Sequence, residues 1–395
     1  MPLSRARKDG VVELCRDLVR IPSPSGDEER IVGFLGDRMR ALGYDEVSTD
    51  ELGNLRGVIR GKRRGKRVLF DSHVDTVGVS DPAEWTRDPY GAEVASGRIH
   101  GRGSSDMKGA AAAMIMAAAH LAEDRGRDFS GEIHVSCTVH EECFEGVAAR
   151  TVSRAVRPDW VIVGEASDLN INRGQRGRAE IQLETFGESA HSSNPEVGHN
   201  AVYDMVLLID RLMQMPISEH GFLGRGIMEL TDIISHPHPG ASVVPSRCTA
   251  TYDRRLLPGE TEESVLADVK LMIDGAREES PRLRATATCR EGSAQCWTGQ
   301  VISARRFFPA WLTAEDHELV QLVGTALART GLRPDVSRYS FCTNASHYAG
   351  ELGIPTVGFG PSPERLAHTV DEYIDIDQLL LACVGYRSIM EAMPG

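Results

Sequence analysis

Apolar residues recur first at helical spacing and then at strand spacing over the first 175 positions of the chain. Residues 6–21 and 23–44 have the helical pattern, and short apolar strands are predicted at 54–60, 67–73, 131–142 and 158–167. A helix rich in alanine is predicted between them, at 108–124. This alternation indicates an α/β fold with a mixed, mostly parallel sheet flanked by helices.

The pattern changes between residues 176 and 297. Strand-like alternation in RAEIQLETFGESAHSS, RGIMELTDIISH and SRCTATYDRRL is interrupted by amphipathic helical segments at 200–215 and 260–276, which is typical of an α+β unit. The first pattern returns later, with a helix at 312–330, a strand at 354–360 and a last helix from Ile374. We therefore expect a discontinuous domain, 1–175 and 298–395, with a second domain, 176–297, inserted into it.

Composition narrows the class of protein and its partners. A chain of 395 residues, 41% hydrophobic and 26% charged, indicates a folded protein of about two domains. A net charge of −13 disfavours nucleic acid or a membrane as the main partner. The longest apolar run, 109–122, is shorter than the ~20 residues that cross a bilayer. No secretory pattern follows the amino terminus, and the eight cysteines have no paired spacing, so we expect a cytoplasmic protein with free thiols.

Seven acidic or imidazole side chains lie in distinctive contexts of the first predicted domain. They are His73 and Asp75 in LFDSHVDTVG, Asp106 in GRGSSDMKG, Glu141 and Glu142 in TVHEECFEG, Glu165 in VIVGEAS, and His368 in PERLAHTVDE. Several lie at the carboxyl ends of predicted strands, where open α/β sheets place their sites. Two imidazoles and several carboxylates suit a pair of divalent metals, with one carboxylate left to carry protons. The set predicts a dinuclear metallohydrolase.

Each motif also has a simpler interpretation. An isolated HxD is more often incidental, Asp106 could cap the alanine-rich helix, and acidic doublets usually lie at the surface. The position of Glu141 and Glu142 after an apolar strand favours a functional role. In an extended segment their side chains would point apart, so that one could bind metal while the other faces substrate water. The HxD spacing would let Asp75 hydrogen-bond the imidazole nitrogen of His73 that faces away from the metal.

Two other functions stay open from the residues alone. GRGSSDMKGA has glycines before Lys108 and a helix after it, like a phosphate loop, and a nucleotide-binding enzyme would use Lys108 as a phosphate ligand. The required order GxxxxGK[ST] is absent, however, and Asp106 would repel a phosphate. A non-catalytic ligand-binding protein of the same fold could dispense with Glu141, which is present here.

In their order along the chain, HxD, GRGxxDMKG, the glutamate doublet and the late histidine resemble one cocatalytic metallopeptidase family. It includes acetylornithine deacetylase, succinyl-diaminopimelate desuccinylase, aminoacylase-1 and glutamate carboxypeptidase. INRGQRGR, DRRLLPGET and TNASHYAGELGIPTVGFGP are most similar to its subgroup of hydrolases linked to selenium metabolism. The resemblance implies that the insertion is a lid and dimerisation domain, that the chain forms a homodimer, and that a cis peptide follows Asp106.

The resemblance also implies the metal ligands. One ion would be held by His73, Asp106 and Glu165, and the other by Asp106, Glu142 and His368. Asp75 would orient His73, and Glu141 would be the general base and acid. Zn²⁺ fits the mixed ligands best, although Mn²⁺ and Co²⁺ suit similar sites.

The same resemblance implies the residues that handle the substrate. His191 would steady the developing oxyanion in the site of the partner subunit, Arg255 would bind a substrate carboxylate, and Asn344 would contact the substrate. In this family a glutamate at the position of Glu165 goes with deacylases and carboxypeptidases. The expected reaction is hydrolysis of the amide bond of a small N-acyl amino acid or dipeptide-like molecule by metal-activated water.

Overall fold

The computed structural model describes residues 3–393, and the chain divides into two compact units. Unit 1 contains the chain up to Gln175, Ser293–Ser303 and the chain from Leu312 onwards. Unit 2 contains Arg176–Gly292 and Ala304–Trp311. None of the helices within the described residues is long and apolar enough to span a membrane. The role of an inserted lid or dimerisation domain stays a prediction.

The helices of residues 3–393 are α1 (Arg5–Val19), α2 (Glu29–Ala41), α3 (Gly109–Arg125), α4 (Ala149–Val156), α5 (Ala201–Met213), α6 (Glu262–Glu279), α7 (Glu318–Ala328) and α8 (Ile376–Ala392). The strands are β1 (Glu46–Thr49), β2 (Leu55–Arg60), β3 (Arg63–His73), β4 (Glu93–Ala95), β5 (Arg98–His100), β6 (Ser130–Thr138), β7 (Trp160–Val163), β8 (Ile171–Gln175), β9 (Gly177–Phe186), β10 (Glu219–His220), β11 (Gly224–Arg225), β12 (Ile227–His236), β13 (Arg247–Leu256), β14 (Arg284–Cys289), β15 (Glu291–Gln295), β16 (Val301–Arg305), β17 (Phe307–Phe308), β18 (Trp311–Leu312), β19 (Val336–Tyr339), β20 (Thr356–Gly358) and β21 (Tyr373–Asp375).

Unit 1 is built on a nine-stranded mixed sheet in the order β1-β2-β6-β3-β7-β20-β8-β18, with β19 beside β8. The four central strands, β6, β3, β7 and β20, are parallel to one another, whereas β2 and β8 join them antiparallel. Strand β7 is buried along its whole length, as expected for a parallel strand covered on both faces. The predicted α/β class with a mixed sheet is confirmed.

Helix α3 lies in the interior of unit 1. Residues 109–122 are all buried, and α3 packs against α1, α8 and the strands β3 and β6. Its many alanines allow neighbouring elements to approach the helix closely, because a methyl group occupies little space. The loop that precedes Gly109, which carries Asp106, is therefore also held inside the protein.

A separate three-stranded sheet joins the end of the chain to an earlier loop. Its order is β21-β5-β4, and Tyr373 of β21 pairs with His100 of β5 in antiparallel register. Just beyond this pairing, the main-chain N–H of Gly101 donates to the carbonyl oxygen of Glu372 at 2.8 Å. The segment around His368 is thus held beside the loop around Asp106.

Unit 2 is an α+β layer structure, as its pattern predicts. Its antiparallel sheet has the order β12-β13-β9-β14, with β17 on β9, and side chains along β9 alternate between buried and half-buried. Apolar residues of β9 and β13 form one core with those of α5 and α6. A capping box of Thr261 and Ser264 begins α6, and the Asn200 side chain caps α5.

Candidate metal centre

The structure brings the seven predicted site residues of unit 1 to the carboxyl end of the parallel strands. His73 ends β3, Asp75 follows it, Asp106 precedes α3, Glu141 and Glu142 follow β6, Glu165 follows β7, and His368 lies in the loop before β21. These residues are buried, except that Glu142 has intermediate exposure and the side chain of His368 is half-exposed. His73, Glu141, Glu142 and Glu165 thus lie at or just after the carboxyl ends of parallel strands, where open α/β sheets place their sites.

The Asp106 carboxylate lies between the two imidazoles. Its Oδ1 atom is 3.0 Å from His73 Nε2, and its Oδ2 atom is 3.3 Å from His368 Nε2. His368 Nε2 is also 2.8 Å from Glu142 Oε2, and His73 Nε2 is 3.5 Å from Glu165 Oε1. Each oxygen of Asp106 thus faces a different imidazole and its neighbouring carboxylate, which is the arrangement of a carboxylate that bridges two cations.

Two groups of side chains have ligand atoms close enough to hold an ion. One is His73, Asp106 and Glu142, and the other is His73, Glu141 and Glu165, with all ligand atoms of a group within 4.8 Å of one another. Both groups differ from the sets that the resemblance implies: His73 stands in the place of His368 in the first group, and Glu141 stands in the place of Asp106 in the second. Glu141 therefore lies next to the ligand set.

Buried negative charge is concentrated in this centre. Burial raises the pKa of Glu141 and of Glu165 well above the ordinary value, and neighbouring carboxylates add to the shift. Hydrogen bonds to Asp106 and Glu142 raise the pKa of His368 to about 10. The Oε1 atoms of Glu141 and Glu142 are buried and have no hydrogen-bond partner within residues 3–393. Unpaired buried carboxylate oxygens are costly, so this donor set fits divalent cations.

Asp75 contacts His73 differently from the prediction. The closest acceptor to His73 Nδ1 is the main-chain oxygen of Asp75, at 2.9 Å, while the Asp75 carboxylate is 3.6 Å away. That carboxylate accepts hydrogen bonds from the main-chain N–H groups of Glu141 and Glu142, at 3.0 and 3.1 Å, and from the Ser25 hydroxyl at 2.7 Å. The reason is that β3 ends at His73, so Asp75 no longer follows the alternation of a strand.

The glutamate pair lies in a turn, so the predicted extended conformation is wrong. Strand β6 ends at Thr138, and His140 has a φ of 54°, which changes the direction of the chain before the pair. Glu141 Oε2 is 3.9 Å from His73 Nε2, whereas Glu142 Oε2 is close to His368. The two side chains still face different imidazoles. A turn, whose main-chain N–H groups donate to the Asp75 carboxylate, directs them apart, and not the alternation of an extended strand.

Asn344 is buried, and its amide is fully used inside unit 1. Its Nδ2 donates to Asp71 Oδ2 and to Thr138 Oγ1, both at 2.9 Å, and its Oδ1 accepts from the main-chain N–H of Gly146 at 2.9 Å. Asp71 was not among the predicted site residues, although an acidic residue inside the apolar run RVLFDSH indicates a buried carboxylate that needs partners. These contacts favour a role in fixing the loop that follows β6, and contact of Asn344 with substrate stays a prediction.

His191 and Arg255 lie in unit 2. His191 is exposed in a loop, and its Nδ1 accepts hydrogen bonds from the main-chain N–H and the hydroxyl of Ser193. Arg255 lies on β13, a quarter exposed, with Nε 2.7 Å from Asp253 Oδ1. Their proposed contacts with substrate stay predictions.

The loop before α3 does not have the properties of a phosphate site. Lys108 is fully buried, and its Nζ donates to the carbonyl oxygen of Ile21 at 2.8 Å. Burial lowers the pKa of Lys108 to about 7, so the residue is a poor cation for phosphate. The peptide bond from Asp106 to Met107 is cis, as the resemblance implies.

Comparison with known proteins agrees with this geometry. The profile of peptidase family M20/M25/M40 matches residues 69–392. An uncharacterized protein, YgeY of Escherichia coli strain K12, is 34% identical over 380 residues, covering 95% of this chain and 92% of its own. A succinyl-diaminopimelate desuccinylase of Methylobacterium radiotolerans is 27% identical over the full length of both chains. The fold is also similar to that of the aminopeptidase PepT from Bacillus cereus, with a TM-score of 0.76, 20% identity and 98% of each chain covered.

Proposed function

Since the chain belongs to peptidase family M20/M25/M40 and is thus a metal-dependent hydrolase of amide bonds, we propose that its substrate is a small N-acyl amino acid or dipeptide-like molecule with a carboxylate. The observation that carries the metal-dependent reaction is the Asp106 carboxylate, whose two oxygens face two different imidazoles. The relative named succinyl-diaminopimelate desuccinylase supports an N-acyl substrate.

Two divalent ions complete the proposed centre. His73, Asp106 and Glu165 hold the first ion, and Asp106, Glu142 and His368 hold the second. Imidazole with carboxylate favours Zn²⁺, and Mn²⁺ or Co²⁺ can replace it in such sites. The distances of 2.8 to 3.5 Å from the two imidazoles to the carboxylates of their proposed sets support the assignment, as does the buried Oε1 of Glu142, which has no hydrogen-bond partner within the described residues.

Glu141 is the proton carrier in this proposal. When bound, the two ions supply Lewis acidity and lower the pKa of a water at the site. Glu141 takes the proton of the attacking water and returns it to the leaving nitrogen, giving an amine and a carboxylate. Two observations support this role. Glu141 Oε1 is buried and has no hydrogen-bond partner within the described residues, and the main-chain N–H of Glu141 donates to the Asp75 carboxylate.

Unit 2 provides the proposed substrate contacts. Arg255 offers a guanidinium that can bind a carboxylate with two parallel hydrogen bonds, and Asp253 keeps its Nε in place. His191 serves the active site of the partner subunit and donates to the developing oxyanion. Its exposed loop position is compatible with contact to a second chain.

A homodimer forms through unit 2. On α5, Tyr203, Val206 and Met213 are 74%, 57% and 81% exposed and lie on one face of the helix. Strand β12 is the outermost described strand on its side of the sheet, so its main-chain groups can pair with another strand. An exposed apolar helix face beside an open sheet edge is typical of an interface.

The proposed setting is the cytoplasm. All eight cysteines lie in the described part of the chain, none of them forms a disulfide, and seven are buried. Free thiols persist in reducing compartments, which supports the proposal.

Metal content and turnover test the reaction. We expect two ions per chain and hydrolysis of at least one member of a panel of N-acetyl, N-succinyl and N-carbamoyl amino acids. Glu141→Gln should retain the ions and lose about 10²- to 10⁴-fold in kcat. Glu123→Gln, at an exposed position on α3, is the matched control. Equal turnover by metal-loaded Glu141→Gln would show that another group carries the proton.

Oligomeric state and subunit mixing test the dimer. Tyr203→Glu with Met213→Glu should give a monomer in sedimentation, whereas Leu352→Glu, an exposed apolar position of unit 1, should not. Mixing His191→Ala subunits with Glu141→Ala subunits should restore part of the activity, because one site of the mixed dimer then has both residues. No recovery would count against a site shared between subunits.

A further inference from the structure

Glu372 is a buried carboxylate outside the predicted ligand set. Its side chain is completely buried. One oxygen, Oε2, accepts hydrogen bonds from Arg102 Nη1 at 2.7 Å and from the main-chain N–H of Gly103 at 2.9 Å. The other, Oε1, accepts from the main-chain N–H groups of Ser105 and Asp106, at 2.8 and 3.0 Å. One side chain therefore binds three main-chain N–H groups of the loop that carries Asp106.

This loop depends on such an acceptor because it has no strand partner. Gly101 and Gly103 have φ values of 145° and 82°, so the chain is irregular before α3. A Cβ atom at Gly103 would lie 2.7 Å from the Thr76 side chain, so the loop is also tightly enclosed. Buried N–H groups without an acceptor are strongly unfavourable, and Glu372 provides the acceptor for three of them.

Glu372 also lies in the same segment as His368, a second proposed ligand in a loop. Only three residues separate the two, and the pairing of β21 with β5 fixes the end of their segment. Nearer His368, the Asp371 carboxylate accepts from the main-chain N–H and the hydroxyl of Thr86, at 2.8 and 2.9 Å. The segment that contains His368 and the loop that contains Asp106 are therefore held together, with Glu372 at their contact.

We propose that Glu372 is a positioning residue that sets the place of the Asp106 carboxylate and, through it, the affinity for the second metal ion. The inference rests on the metal centre proposed above. The first ion also has His73 and Glu165, which lie at the ends of β3 and β7. Two of the three ligands of the second ion, Asp106 and His368, lie in the two segments that Glu372 joins. Loss of Glu372 therefore affects the second ion more than the first.

Zinc titration of the full-length, metal-free protein tests the inference. Wild type should bind two Zn²⁺ ions per chain. Glu372→Gln should bind the first ion within about 3-fold of wild type and the second about 10- to 100-fold more weakly, the usual loss when a residue that orients a ligand is removed. Activity of the variant should return at high Zn²⁺. Asp375→Asn, which alters a half-exposed carboxylate of β21 paired with Arg98, should bind both ions like wild type.

The outcomes separate this inference from the proposed function. Wild type that binds no metal would refute the metal centre itself. A folded Glu372→Gln variant with two wild-type affinities, or with both affinities lowered equally, would refute the positioning role and leave the centre intact. If Glu372→Gln does not fold, Glu372→Asp provides the measurement, because it keeps the charge but is too short to reach all four donors. Wild-type affinities for both ions in that variant would also refute the role.

Discussion

At the scale of single residues, Asn344 joins three parts of unit 1. Its amide contacts Asp71 of β3, Thr138 of β6 and Gly146 of the following loop. Asn344→Ala leaves the buried Asp71 carboxylate and the Gly146 N–H with one partner fewer. We expect the free energy of unfolding to fall by about 2–4 kcal/mol. Urea denaturation measures the loss, and Asn194→Ala, at an exposed loop position of unit 2, is the control.

The same variant should affect catalysis. Gly146 belongs to the turn region that contains Glu141. Without the hydrogen bond from Gly146 to Asn344 this region becomes more mobile, so kcat should fall more than KM changes. A stability loss below about 0.5 kcal/mol, the usual range for surface substitutions, would show that the amide is replaceable.

Glu351 predicts a dependence of stability on pH. Burial opposes the charge of this carboxylate, but hydrogen bonds from His347 and Arg150 lower its pKa to about 2. Because the pKa is lower in the folded state, the ionised group stabilises the fold above its unfolded pKa of about 4.3, and this contribution is lost as the pH falls towards 2.

Glu351→Gln should therefore reduce the free energy of unfolding by about 1–2 kcal/mol at pH 7, and the difference from wild type should narrow between pH 5 and pH 3. Urea denaturation across this range measures it, with the exposed Glu84→Gln as control. A difference that stays constant with pH would point to lost packing rather than to charge.

Local motifs were enough to select Asp106, Glu142 and His368, because each stands in a characteristic run of neighbours, and the structure brings their side chains together. The hydrogen bonds of Asp75 to the glutamate turn and of Glu372 to the Asp106 loop were missed. These contacts join residues that are far apart in sequence, and one chain gives no local signal for which distant N–H groups a buried carboxylate will find.

At the scale of elements, periodicity located seven of the eight described helices and the longest strands, but not always their ends, and it missed α4, β8 and β14 among others. The strand expected to reach Glu142 ends at Thr138, because the main-chain N–H groups of Val139 and His140 donate to the side chains of Asn54 and Glu28, at 3.0 and 3.3 Å, and the chain turns at His140. The apolar character of Val139 continued the pattern past the true end. Tertiary contacts overrode the local preference for strand.

Helix α3 gives a prediction about packing. Ala117 is completely buried, so Ala117→Leu must displace neighbouring side chains. We expect the free energy of unfolding to fall by about 1–3 kcal/mol. Ala328→Leu makes the same change at an exposed position of α7 and should alter stability by less than about 0.5 kcal/mol. Equal effects in thermal unfolding would mean that α3 has free space around it.

At the scale of the whole molecule, metal removal should lower stability. The buried carboxylates repel one another without cations, and an ion that binds only the folded state stabilises it by about 2.7 kcal/mol at 100 times its Kd. Calorimetry should therefore show a lower Tm after chelation and recovery on adding Zn²⁺. Glu141→Gln should retain the recovery. An unchanged Tm would show that metal binding does not stabilise the folded protein.

The change in hydrophobic pattern near residue 176 is the basis of the predicted insertion, 176–297, whereas the chain after Gly292 alternates between the units, with Ser293–Ser303 in unit 1 and Ala304–Trp311 in unit 2. The reaction class followed from residues of unit 1, because metal chemistry restricts which side chains can serve. The substrate did not follow, since recognition depends on the shape of a binding site and on contacts between residues far apart in sequence, and the roles of His191 and Arg255 stay proposals.

The small sheet of β4, β5 and β21 has a consequence for protein synthesis. It ties the loop of Asp106 to β21, a strand that follows this loop far along the sequence and lies just after His368. A ribosome adds about 5–20 residues per second, and domains generally fold as units during synthesis. The nascent chain therefore remains without a complete proposed centre until residues 368–375 have been synthesised. A prematurely terminated product that lacks residues 368–395 is expected to be unable to capture both ions.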